Sequence, residues 1–226
     1  MRSLLWKEWH EQSWKLAFGC LVLVSFAIIG LHSRIIADEK MMMWVCFMGV
    51  GLLPVLSSTG LIPAERADGS FESLLAIPVA SWRILLAKTL VGMLQCGGPL
   101  LAAGLVSLLM VGGRELSGET IVNLYCRSTL ASLSLFVWMV ALTSRLPSEA
   151  RAGLVALGVL ILWSLVSIGL TAPGVPRALL AISPFTFFYV IFTSVTDTPG
   201  FFMVFIAQLA ILSAVWTVTV RVFNRS

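Results

Sequence analysis

Glu65, Arg66, Asp68 and Glu72 crowd the start of AERADGSFESLLAIPVASWRILLAK, residues 64–88, and Lys88 closes it. Side chains of these types make charge-assisted hydrogen bonds to another protein. The chain has no Ser/His/Asp set with plausible placement, so hydrolysis has no support. Ser70 is a good N-cap for a short helix, Glu72 sits in its first turn where the helix dipole favours an acid, and Pro78 ends it. Gly69 permits the tight entry. The stretch lies between two apolar runs, each long enough to cross a bilayer. A polar helical insert between two spans is a surface for a soluble partner.

The rest of the chain supplies the membrane. It is 58% hydrophobic and 12% charged over 226 residues, with mean hydropathy +0.98, whereas soluble domains carry roughly 25% charged residues. The net charge of +4 comes from basic residues scattered between apolar runs, without the clustering that nucleic acid requires. A hydrocarbon core of ~30 Å needs ~20 apolar residues at ~1.5 Å each. That length is met by Leu16–Ile36, Met41–Pro63, Ile84–Val111, Ile121–Thr143, Ala152–Thr171 and Phe201–Phe223.

Six crossings put both termini on one side, and the basic residues choose which. With cytoplasmic termini, Arg2, Lys7, Lys15, Arg66, Arg83, Lys88, Arg145, Arg151, Arg221 and Arg225 lie inside, against Arg34, Lys40, Arg114 and Arg177 outside. The positive-inside rule therefore predicts N-in, C-in.

Two segments are not simple spans. Before the first run, Leu5, Trp6, Trp9, Leu16 and Ala17 share one helical arc and Lys7, Glu8, Glu11 and Lys15 the other. This predicts an amphipathic elbow helix over 1–15 lying on the inner leaflet, or else a cytoplasmic extension of the first span. Residues 172–199 are apolar but broken at Pro184, and their aromatic cluster suits an outer re-entrant segment. The expected fold is all-α, a single membrane domain over 1–226.

Other chemistry is thinly represented. No Gly-x-x-x-x-Gly-Lys-[Ser/Thr] loop occurs, so the chain has no phosphate cradle of its own and is not expected to be an enzyme. Cys20, Cys46, Cys96 and Cys126 fall in apolar runs without a Cys-x-x-Cys pair, and His10 and His32 stand apart. No metal and no bound cofactor is expected. Pro54 and the Gly97-Gly98-Pro99 break fall near mid-depth in the second and third runs. With Ser57, Ser58 and Gln95 beside them, Pro54 and Pro99 mark either a substrate path or helix packing through small residues.

The 64–88 stretch resembles permease subunits of ABC-2-type transporters. Glu65-Arg66, Gly69-Ser70-Phe71-Glu72-Ser73-Leu74-Leu75, and Pro78-Val79 leading to Lys88 are similar to that family's Glu…Gly-Thr-x-Glu-x-Leu…Pro-Val…Lys pattern, with serine at position 70 for the commoner threonine. The resemblance implies an elbow helix, six spans, a coupling helix between spans two and three (here 64–83) and short re-entrant helices before span six. It implies a cytoplasmic ATP-binding cassette ATPase partner holding ATP and Mg, docked on Glu65, Arg66, Asp68, Gly69, Phe71 and Glu72. A second permease copy or close relative completes the assembly. The implied role is export across a bacterial inner membrane. A haem-exporter-like permease of cytochrome c maturation is the alternative within the class, and an ion-coupled secondary carrier the alternative outside it. Carriers often place acids within spans, whereas these acids read as loop and terminal residues.

Overall fold

A computed structural model of the chain describes residues 2–33, 37–69, 79–111, 117–170 and 198–223. They form α1 (Arg2–Ser33), α2 (Asp38–Thr59), α3 (Pro63–Ala67), α4 (Ser81–Val111), α5 (Gly118–Thr143), α6 (Glu149–Leu170) and α7 (Thr198–Phe223). All except α3 are long and apolar enough to cross a membrane, which makes six such helices among the described residues. The expected re-entrant segment falls outside the described residues apart from its last positions, where α7 begins.

Local signals account for the helix starts. Asp38 and Glu39 occupy the first turn of α2, where the dipole favours acids. Ser117 caps α5 by accepting from the Thr120 N–H at 3.2 Å. Ser148 does the same for α6, accepting from the Arg151 N–H at 3.4 Å. Pro63 opens α3, the position where its missing N–H costs nothing.

The N-terminal segment departs from the expected elbow. α1 runs unbroken for 32 residues, about 48 Å against a hydrocarbon core of ~30 Å. No turn separates residues 2–15 from the apolar run, so this segment extends the first apolar helix instead of forming a separate one. α4, with 31 residues, is of similar length, and α1 and α4 pack against each other in parallel. Near Gly19, the Leu53 and Pro99 side chains leave no more than 3.1–3.3 Å to an added Cβ. Both helices overshoot the length of a hydrocarbon core, and their first turns lie side by side.

The core lies between α1, α2, α4 and α5, around Leu31, Val45, Leu100, Leu135 and Phe136. α6 packs on α2 and α5, and α7 on α5 and α4. Where α4 meets α5, the buried Ser107 and Tyr125 hydroxyls share a hydrogen bond at 2.8 Å. One turn earlier Gly104 admits the Tyr125 ring; a Cβ there would lie 2.8 Å from Cγ and 2.9 Å from Cβ of Tyr125. Both atoms sit close to the α5 backbone, so the helices must separate to admit a methyl group. Gly104→Ala should destabilise the protein by about 1–3 kcal/mol, seen as an earlier thermal transition in detergent. Gly158→Ala, which meets nothing within 4 Å, should leave the transition in place.

Candidate functional site

Where α1 and α4 overshoot, a buried ionic site joins three elements. Lys88 of α4 is 1% exposed and donates from Nζ to Glu8 Oε1 of α1 at 2.8 Å and to Glu65 Oε1 of α3 at 2.6 Å. Glu8 is as deeply buried as Lys88, and the Glu65 side chain is 14% exposed. The other Glu8 oxygen is buried without a partner among the described residues, so Lys88 is the group that compensates this acid. Glu11 brings its carboxylate to the same cluster, within 4.8 Å of those of Glu8 and Glu65. The Lys88 ammonium thus serves as an internal cation among the acids.

The polar seam continues toward the membrane. One turn beyond Glu8, Gln12 donates to the Gly60 carbonyl at 3.2 Å, at the end of α2. Gln95, two turns beyond Lys88, donates to the Gln12 carbonyl at 3.2 Å. Lys15 lies across Gly60, its Nζ 2.0 Å from where a Cβ would stand. Glu8, Gln12, Lys15 and Gly19 form one stripe of α1 at steps of four, three and four. Lys88, Gln95 and Pro99 form the facing stripe of α4. The polar stripe of α1 therefore faces the protein, while Trp6 (68% exposed), Trp9 and Trp14 face outward. Glu8, read from sequence as part of the polar arc of a surface-lying helix, is buried.

The structure distributes unevenly the residues expected from sequence to dock a partner. Glu65 is committed to Lys88. Arg66 is half-buried on α3, Asp68 is exposed at the end of that helix, and Gly69 is exposed with φ of 72°, a left-handed turn suited to glycine. Phe71 and Glu72 lie outside the described residues, as does the helix expected from Ser70. The five residues suggested for a substrate path are all buried. Pro54, Ser57 and Ser58 lie inside unbroken α2, with the Ser58 hydroxyl spent on the Val55 carbonyl at 3.2 Å. Pro99 packs beside Gly19, and Gln95 belongs to the polar seam.

No family model and no curated protein matches this chain. The ionic site is therefore characterised by its own geometry. Sequence reasoning missed Glu8 and the Glu65–Lys88 closure. The signal available was the recurrence of Glu8, Gln12 and Lys15 along one stripe of an otherwise apolar helix.

Removing Lys88 leaves two carboxylates facing each other in a buried site. Lys88→Met should cost about 3–5 kcal/mol, read as a large loss of thermal stability in detergent. Adding Glu8→Gln, which removes the uncompensated buried charge, should restore part of it.

Proposed function

We propose that this chain is the membrane-spanning subunit of an ATP-driven exporter of the ABC-2 type, which docks a separate ATPase through residues 64–83. The observation that carries the reading is the Glu65–Lys88 contact at 2.6 Å. Glu65 and Lys88 are the first and last charges of the pattern that resembles the family, and their pairing ties α3 to α4. Asp68 and Gly69 are exposed just after α3, leaving polar groups for a partner. Force applied at α3 would reach α1 and α4 through Lys88. In this reading the loop and both termini are cytoplasmic, the membrane is a bacterial inner membrane, and a second permease copy completes the transporter. Exposed Arg83, Arg145, Arg151 and Arg221 at that end of the bundle agree with the positive-inside rule.

A second reading draws on the same site. Acids buried against a lysine within long apolar helices are a feature of ion-coupled carriers, and Glu8 now meets that description. The two readings separate on energy source: an exporter fails without its ATPase, and a carrier fails when the proton or sodium gradient is collapsed.

The docking test is Glu72→Arg combined with Gly69→Pro. Losing a partnered charge at such a contact costs about 2–5 kcal/mol, so the variant should insert normally yet fail to co-purify the ATPase or support export. An unchanged yield of ATPase would refute the docking assignment. Orientation is tested separately by cysteine accessibility. Positions 68, 148 and 225 should label only from the cytoplasm and position 116 only from outside; external labelling at 225 would contradict the six-span arrangement.

A further inference from the structure

A cleft of about 480 Å³ lies between α4, α5 and α7, inside the ~300–1,000 Å³ range of sites that enclose most of a small ligand. Its walls are apolar, with Leu86 and Met93 from α4, Leu130 and Val137 from α5, and Phe205 and Trp216 from α7. Its lip is exposed at Leu90 and Leu209. The hydroxyls within it are already engaged. Thr89 donates to the Leu85 carbonyl, Ser213 to that of Leu209 and Thr217 to that of Ser213, all at 2.7–2.8 Å. Ser134 donates to Gln208 Oε1 at 3.4 Å. An apolar ligand therefore strands none of these donors.

The cleft is elongated and has one cationic end. From Phe205 to Thr217 it follows about 18 Å of α7 at ~1.5 Å per residue, close to half of a ~30 Å hydrocarbon core. Ser213 and Thr217 step by four along its edge, and the next such step is Arg221, which is exposed. On α4, one turn before Leu86, stand exposed Trp82 and Arg83, the guanidinium 5.4 Å from the ring centroid. With six crossings, α4 starts and α7 ends on the same side of the membrane, so Arg83 and Arg221 lie beyond the same end of the cleft. Tryptophan beside arginine is a pairing suited to headgroup depth.

We propose that this cleft holds one acyl chain of an anionic phospholipid from the surrounding bilayer. The phosphate sits at the mouth between Arg83 and Arg221, and the chain lies along α7 toward Phe205. The inference is independent of the exporter reading.

The test is native mass spectrometry of the full-length protein, delipidated in detergent and titrated with dioleoyl phosphatidylglycerol or dioleoyl phosphatidylcholine. Phosphatidylglycerol should give its first one-to-one adduct at a concentration about tenfold lower, a difference of ~1.4 kcal/mol. Arg83→Gln with Arg221→Gln should abolish that preference and leave a weak adduct with either lipid. Leu212→Trp, which fills the cleft, should remove the first adduct, whereas Leu162→Trp on the exposed side of α6 should not. Equal affinity of the wild type for the two lipids would overturn the proposal, as would a preference that survives loss of both arginines. The arginine pair is exposed and does not endanger folding, so it decides the matter even if Leu212→Trp fails to fold.

Discussion

The Lys88 ammonium, 1% exposed, imposes a condition that the surrounding helices satisfy. Withdrawing such an ion from water costs several kcal/mol unless counter-charges are brought to it with good geometry. Glu8 and Glu65 meet it at 2.8 and 2.6 Å. For Glu8 to arrive, α1 must run parallel to α4 with its Glu8–Gln12–Lys15 stripe inward. For Glu65 to arrive, the chain must continue past Gly60 through a short turn into α3, and Gln12 holds that turn by donating to the Gly60 carbonyl. One buried cation thus aligns the start of α1, the end of α2 with α3, and the start of α4.

The surroundings of this site are arranged for lipid as the outer solvent. In water, an amphipathic helix buries its apolar face. On α1 the relation is reversed along one stripe, with Trp6, Trp9 and Trp14 outward and Glu8 and Gln12 inward. Where lipid bathes the outside, polar groups find partners only within the protein or at the headgroups, and tryptophan gains from the interfacial level. The same logic covers Lys15, which reaches back across Gly60 instead of pointing into hydrocarbon.

Much of the architecture was legible because hydropathy and length are decisive for spans. The third run, expected over Ile84–Val111, is α4 over Ser81–Val111, and the fourth, expected over Ile121–Thr143, is α5 over Gly118–Thr143. The separate elbow was not, because period alone does not say whether an amphipathic stretch bends. Nothing between Arg2 and Phe18 is a glycine or proline, and the first glycine, Gly19, is used for packing on Pro99. Nor does the period say which face turns inward, so the burial of Glu8 could not be read from it. Lys88 read as the last charge of the polar insert, at the start of the third run, because its two partners lie 80 and 23 positions away in sequence. Of the residues proposed for docking, Phe71 and Glu72 rest on the sequence pattern, while Glu65 is paired with Lys88.

Glu65 and Lys88 act as a unit that fastens α3 to α1 and α4. A double-mutant cycle with Glu65→Gln, Lys88→Met and the pair tests it most directly, read on unfolding free energy in detergent and on ATPase capture in the same preparations. The account predicts a coupling of at least ~1 kcal/mol in stability, beyond the ~0.3–0.5 kcal/mol scatter of independent sites, and loss of capture in each single variant. Additive effects, with capture unaffected by either substitution, would contradict it.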